Sequence, residues 1–436
     1  MKRLRLRAAF SLVIAALLLI GLAVYVVRYV RNGRDWALSP FNSTLYSGGA
    51  LRNGTLTDRS GRILAHSSEG TLRYADDAQT RSSCLHAVGD YEGYIGAGAI
   101  RLFDAELSGY DPLQGAYASL DSAPVVALSL DASVQNAAYA ALAGRSGAVA
   151  LCNYRTGELL CMVSSPSYDP VSGPSAGAEG VYINRVTGAS YTPGSVFKIV
   201  TLCAALENIG DLHERRFFCS GETEIGGTSV KCSGIHGSQT AEQAFANSCN
   251  CAFAELSVEL GAEKLAAYAK QLGITASLSL CGAPVTTGSF EEAASGSADL
   301  AWSGIGQYTD LVSPFAVLRL SAAIANGGAV QEPTLLKNGK SEKTSVLSAS
   351  TAEAAADLMR YNVVSNYGSW IAPELPLCAK TGTAELGDGT SHAWFTGFLQ
   401  DEAHPYAFVV IVEHGGSGLS TAAPVASAVL SAAVRE

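Results

Sequence analysis

The sequence predicts an α/β chain: one mainly antiparallel five-stranded sheet flanked by helices, preceded by a transmembrane helix and a small separate domain. Three observations predict it. A β-hairpin signal lies at Gly147 to Ser164, helical segments fill the middle of the chain, and three strand-like segments follow around Leu377, Trp394 and Val409. Strands at both ends of a domain with helices between them pair most simply into one sheet that those helices cover.

The first element is the membrane helix. Lys2, Arg3, Arg5 and Arg7 precede an uncharged apolar run from Ala8 to Val27. Twenty helical residues cross a hydrocarbon core of about 30 Å. The run is longer than a signal-peptide core and no small-residue cleavage pattern follows it, so residues 1–34 are expected to be a cytoplasmic tail and an uncleaved anchor. Arg28, Arg31 and Arg34 nearly balance the N-terminal cluster, so charge alone gives only a slight lean on orientation. Residues 35–119 contain Gly, Tyr and Asp among short apolar runs and are expected to form a small domain of their own.

Residues 120–436 are long enough to bury a large core. Val125 to Leu130 is expected to be a strand, and Asp131 the cap of a helix that runs to Ala143. The hairpin turns at Asn153-Tyr-Arg-Thr-Gly157. Helices are expected from Ser195 to Leu206, from Thr240 through the region of Ser248, from Ala262 to Leu272 and from Ala422 to Val434.

Composition narrows the function. With 39 acidic against 29 basic residues and a net charge of −10, a nucleic-acid partner is not expected. No zinc pattern or dinucleotide fingerprint appears, and no metal or organic cofactor is expected. Of ten cysteines, Cys152, Cys161 and Cys203 lie in apolar segments and are expected to be small core residues. Cys219 and Cys232 bracket a hairpin-like insert and are candidates for a bridge. Cys249 and Cys251 flank Asn250 and would face opposite sides of an extended segment.

Three motifs occur in one order: Ser195-Val-Phe-Lys198, Ser248-Cys-Asn250 and Lys380-Thr-Gly382. A Ser-x-x-Lys alone is weak, because many helices carry that pair on a solvated face. The set of three implies a serine acyl-transfer site. Ser195 at a helix N-terminus would meet free N–H groups, which stabilise a developing oxyanion, and Lys198 one turn later could reach its hydroxyl. A lysine base must be neutral, which requires desolvation or a nearby cation, and Lys380 is the expected cation. Ser248 would carry a proton to the leaving amine, and Asn250 would hold a substrate amide. Lys380, Thr381, Gly382 and Thr383 follow an apolar strand and precede a tight turn. On an edge strand Gly382 would let a substrate backbone approach, while the Thr381 and Thr383 hydroxyls with the Lys380 charge suit a terminal carboxylate. The Thr383 and Ser195 N–H groups would complete an oxyanion hole.

With these residues in view, the chain resembles the class B penicillin-binding proteins, the monofunctional D,D-transpeptidases of peptidoglycan. Pro193-Gly-Ser-Val-Phe-Lys198 is similar to the family's Pro-Gly-Ser-Thr-Phe-Lys, with Val196 where Thr is usual. Asn184-Arg185, Ser303-Gly-Ile-Gly-Gln307, Ala325-Asn-Gly-Gly328 and the strand from His392 to Phe398 also resemble family segments, as does Arg52 to Ala65 after the anchor. The resemblance implies a penicillin-binding-protein/β-lactamase-like transpeptidase fold on a short membrane-proximal pedestal. It implies cross-linking of stem peptides with release of D-alanine, acylation by β-lactams, a catalytic domain outside the cell membrane and a possible SEDS-type glycan polymerase as partner.

Two other readings use the same motifs. A D,D-carboxypeptidase or β-lactamase sends the acyl-enzyme to water and needs a second base, for which the adjacent Glu291 and Glu292 match no known spacing. A scaffold or sensor would act without chemistry, but a sensor is expected to carry several spans and an effector segment, against one span preceded by seven residues here. His236 and His392 are expected to be turn and structural residues.

Overall fold

The computed structural model describes residues 2–39, 42, 46–47, 50–51, 53–90, 92–113 and 123–435. The expected boundary at residues 119 and 120 lies outside the described residues, as does Arg52. The chain divides into two compact units, one made of Met1–Leu56, Ala65–Arg73 and Phe103–Val126, the other of Thr57–Leu64, Tyr74–Leu102 and Ala127–Glu436.

The first unit opens with α1 (Lys2–Ala37), which contains the whole expected span. Its most apolar stretch is not buried by protein, and Leu12, Leu17, Leu18 and Ile20 are exposed. A core helix would bury such a face, so the helix fits a membrane anchor. Past the span, Arg34 pairs with Asp104 at 3.2 Å.

The second unit includes α2 (Ala132–Leu142). The Asp131 side chain accepts from the Ser133 and Val134 N–H groups and so satisfies two orphan donors at the helix start. The expected strand before it is short, Val125–Ala127. The hairpin forms as β1 (Gly147–Asn153) and β2 (Leu159–Ser165), with both strands buried on both faces apart from Asn153. The remaining strands are β3 (Leu377–Glu385), β4 (Ser391–Leu399) and β5 (Tyr406–Val412). They make one antiparallel five-stranded sheet in the order β3-β4-β5-β1-β2, as the sequence predicts.

Burial on both faces explains why β1, β2 and β5 read as near-continuous apolar runs rather than alternating ones. On one face Val134, Ala138 and Leu142 of α2, with Val425, Val429 and Leu430 of the C-terminal helix Ala423–Ala433, share a core with Val149, Phe395, Phe408 and Val410. The other face takes the helix Pro314–Ala325. Its Ser313 cap accepts from the Ala316 N–H, and Ser321 bonds Thr396 of β4 at 2.8 Å. This order leaves β3 at the sheet edge, and the candidate site is built against it.

Candidate active site

Ser195 stands in a 3₁₀ turn, Gly194–Val196, and the α-helix that follows, α3 (Lys198–Asn208), begins three residues later. The sequence placed Ser195 at the start of that helix. Two glycines account for the difference. Gly194 has φ +55, and a Cβ there would lie 2.8 Å from the Thr383 carbonyl oxygen of β3. Its N–H donates to the Gly306 carbonyl at 2.8 Å. Gly306 has φ +85, and a Cβ there would lie 2.1 Å from the Gly194 oxygen. The turn is therefore wedged between the edge strand and residue 306, in a conformation that only glycine adopts without strain. The buried Trp394 donates to the Thr192 carbonyl at 3.0 Å, and Glu413 accepts from both Arg185 at 2.6 Å and Tyr191 at 2.9 Å, which anchors the chain entering the turn.

Lys198 is fully buried, and four oxygens surround its amine. The Ser248 carbonyl lies at 2.6 Å and Asn250 Oδ1 at 2.7 Å, while Ser195 Oγ and Ser248 Oγ both lie at 3.2 Å. The two closest partners only accept, so they fix two N–H bonds of the amine. Its remaining tetrahedral position then faces the two hydroxyls. Burial lowers the Lys198 pKa to about 8, against the opposing pull of the Cys232, Cys249 and Cys251 thiols. At neutral pH a useful fraction is the neutral amine, with its lone pair toward Ser195.

Lys380, also fully buried, donates to Ser248 Oγ at 3.0 Å and to the Thr381 carbonyl at 3.0 Å. Burial, then the nearby Lys198, hold its pKa well below the ordinary lysine value. The two amines sit 5.7 Å from the ring centres of Phe253 and Phe245 respectively, contacts that offset part of the desolvation. Ser248 Oγ is thus the one hydroxyl held by both lysines.

The helix expected to continue through Ser248 is interrupted there. It stops after Ala241–Ala246 and resumes at Asn250–Leu260, with Ser248 at φ +51 between the two pieces. A left-handed serine costs about 1–2 kcal/mol, and here it turns both the carbonyl and the hydroxyl toward Lys198.

Three of the expected recognition residues are engaged by the protein itself. Thr381 turns its hydroxyl to Tyr367 at 2.8 Å and its N–H to the same oxygen at 2.9 Å, because alternation along β3 sends it away from the Lys380 side. Gly382 makes room for the nucleophile turn rather than for a ligand, since a Cβ there would meet the Pro193 carbonyl and Val196 at 3.0 Å. Asn250 has both ends of its amide engaged, Oδ1 by Lys198 and Nδ2 by the Lys231 carbonyl at 2.9 Å. Thr383 is exposed and lines the cleft. The hydrogen bonds of Thr381 and of the turn beyond Glu385 set the parity of β3, and that parity points the Thr383 N–H outward past the sheet edge.

The cleft encloses about 480 Å³ beside Ser195, Asn250 and Thr383. Trp302, Tyr308, Lys231 and Cys232 also line it, and none of them follows from motif spacing. The Ser303 to Gln307 segment pointed to this loop without assigning a residue. Glu291 and Glu292 are exposed, whereas Asp310 is fully buried. Burial, helped by the Glu291 charge, pushes its carboxyl up to about 9, so it is a neutral acid at pH 7 and does not serve as a base for water. His392 is buried and accepts the His414 N–H at 3.2 Å, the structural role expected of it.

The penicillin-binding protein transpeptidase domain matches residues 147–431 as a family. The chain belongs to that family. The peptidoglycan D,D-transpeptidase PbpA of Mycolicibacterium smegmatis is 29% identical over 86% of this chain and 88% of its own length. PbpA of Mycobacterium tuberculosis is 30% identical over 66% of this chain and 67% of its own. Among solved structures, penicillin-binding protein A of M. tuberculosis in a cephalosporin acyl-enzyme complex superposes with a TM-score of 0.78 at 25% identity, covering 88% of this chain and 98% of that one. The transpeptidase domain of an Eggerthella lenta peptidoglycan glycosyltransferase gives 0.72 at 25% identity, over the same share of each chain. The family and the fold expected from the sequence are therefore borne out for this transpeptidase.

Proposed function

We propose that this chain cross-links peptidoglycan stem peptides through a serine acyl-enzyme. Ser195 Oγ attacks the carbonyl of the penultimate D-alanine and passes its proton to the neutral Lys198 amine. The oxyanion is held by the Ser195 and Thr383 N–H groups, and the exposed Thr383 hydroxyl receives the terminal carboxylate, while Lys380 acts through Ser248. The C–N bond breaks, and the proton travels from Lys198 through Ser248 to the leaving D-alanine amine. An amine from a neighbouring stem then attacks the ester, returns a proton along the same path and restores the Ser195 hydroxyl. Asn250 acts by fixing the Lys198 amine. β-Lactams, whose reactive amide stands in for the D-alanyl bond, acylate the same oxygen.

The observation that carries this reading is Ser248 Oγ, at 3.2 Å from one lysine amine and 3.0 Å from the other. A hydroxyl so placed can accept a proton on one side while donating one on the other. The names of the relatives and the acyl-enzyme state of the matched structure support the substrate class. With α1 as single-pass anchor, residues 35–436 lie on the extracytoplasmic side of the cell membrane. Residues 35–119 then serve as pedestal and 120–436 as the transpeptidase domain. A glycan polymerase of the SEDS type is the partner this arrangement suits.

Water as acceptor, the carboxypeptidase or β-lactamase reading, is tested by intact mass after brief and prolonged exposure of the full chain in detergent to benzylpenicillin. An adduct that persists for hours and is lost in Ser195→Ala is expected. An adduct that clears within minutes would move the assignment to a hydrolase.

A further inference from the structure

Among the cysteines and histidines that the site chemistry does not use, four converge. Cys219, Cys232, His236 and Cys249 each turn a ligand atom into one small volume, with all four atoms within 4.8 Å of one another. They come from three local pieces of chain. Cys219 ends the strand Arg216–Cys219, Cys232 and His236 follow the hairpin strand Thr228–Lys231, and Cys249 is the cap residue of the helix Asn250–Leu260.

We propose that these four side chains form a zinc site that braces the Ser248–Asn250 segment of the active site. Zinc prefers four tetrahedral ligands at about 2.3 Å for sulfur and about 2.0–2.1 Å for nitrogen, so the edges of such a site measure about 3.8 Å between sulfurs and about 3.5 Å from sulfur to nitrogen. Cys232 Sγ lies 3.9 Å from Cys249 Sγ and 3.6 Å from His236 Nδ1. These two edges match a tetrahedral ion, and the remaining four lie within 4.8 Å, so the donors need only a small contraction to close on one. Three thiols and an imidazole also suit zinc over the hard cations, which take oxygen ligands. Cys219 and Cys249 are buried while Cys232 and His236 are half-buried, which leaves a path for the ion. Binding releases the three thiol protons, and His236 coordinates through the Nδ1 lone pair with its proton on Nε2. Cys251 Sγ, 3.5 Å from Cys219 Sγ, would donate an S–H bond to that coordinated thiolate.

The structure does not form the candidate bridge between Cys219 and Cys232. Cys219 Sγ hydrogen-bonds Cys251 Sγ and Cys232 Sγ hydrogen-bonds Cys249 Sγ, and all ten cysteines are free thiols. Nor are Cys249 and Cys251 alternating residues of an extended segment, because they cap and open a helix. The sequence spacing is Cys-x₁₂-Cys-x₃-His-x₁₂-Cys, which lacks the close cysteine pairs of common zinc motifs, so the pattern emerges only when the hairpin folds back on the helix.

The site's link to catalysis is short. Cys249 lies between Ser248 and Asn250, and Cys232 Sγ accepts the Asn250 N–H at 3.2 Å. An ion held by both cysteines fixes the segment whose three oxygens surround Lys198. The four ligands are positioning residues; none touches the reacting atoms in the mechanism above.

The test uses the full chain, purified in detergent under reducing conditions without chelator, then given zinc and desalted. Metal analysis is expected to give about one zinc per chain. Substitution by cobalt should give the intense visible absorption of a tetrahedral thiolate site. His236→Ala should lose the ion and slow acylation of Ser195 about tenfold, while His236→Cys should restore both. Should Cys219→Ser or Cys232→Ser not fold, the His236 pair still decides. A zinc content near zero after loading would overturn the proposal. So would a chain mass lacking two hydrogens per pair, with Cys219–Cys251 and Cys232–Cys249 joined, in protein prepared this way. Full zinc occupancy in His236→Ala would overturn the assigned ligand set. Since the metal content is read apart from activity, failure here leaves the transpeptidase reading standing.

Discussion

Replacing Lys198 with alanine is expected to slow acylation of Ser195 by benzylpenicillin about 10³-fold, with the fold retained. The alanine removes the group that takes the Ser195 proton, and the burial of a lysine amine is itself a cost to folding, so thermal stability should not fall in parallel. The pH profile of the native chain provides the second reading. Burial lowers the Lys198 pKa to about 8, and only the unprotonated amine can accept a proton. The acylation rate should therefore rise about tenfold per pH unit below 8 and level off above it. Stopped-flow or quenched acylation at several pH values measures this. A rate that is flat from pH 6 to 9 would place the proton elsewhere.

The second large effect concerns Gly306, which lies in the Ser303 to Gln307 segment and outside the three catalytic motifs. Gly306→Ala adds a Cβ that would lie 2.1 Å from the Gly194 carbonyl oxygen and 2.6 Å from Phe197 Cβ, at a φ of +85. Backbone cannot yield as a flexible side chain can, so the nucleophile turn must move. A displacement near 1 Å of an attacking oxygen costs about a hundredfold in rate. The expected result is that loss in acylation with a lower Tm. Gly144→Ala separates backbone strain from the clash, because Gly144 has φ +77 with nothing within 4 Å of an added Cβ. Equal acylation rates in the two variants would show that the contact between Gly306 and Gly194 does not position Ser195.

The sequence made the sheet legible because its signals are local. Asp131 caps a helix, Asn153 to Gly157 turns a hairpin, and the two hairpin strands are mostly apolar and buried. The three motifs likewise bring Ser195, Lys198, Ser248, Asn250 and Lys380 into one cluster. What escaped was set by long-range fit. Ser195 leaves the helix because β3 and Gly306 press on Gly194 from two sides, and neither neighbour is near it in sequence. Thr381 faces Tyr367 through the alternation of an edge strand whose outer partner comes from a separate helical segment. The break at Ser248 depends on a left-handed residue that its own propensity disfavours. The thiol cluster likewise needs the hairpin and the helix start together.

The central claim is that the Ser195 ester is resolved by an amine. It is tested most directly by supplying the full chain with glycan strands that bear pentapeptide stems and following the products by mass spectrometry. The account predicts D-alanine release matched one to one by cross-linked stems, with both absent in Ser195→Ala. D-alanine release that yields only uncross-linked tetrapeptide stems would contradict it.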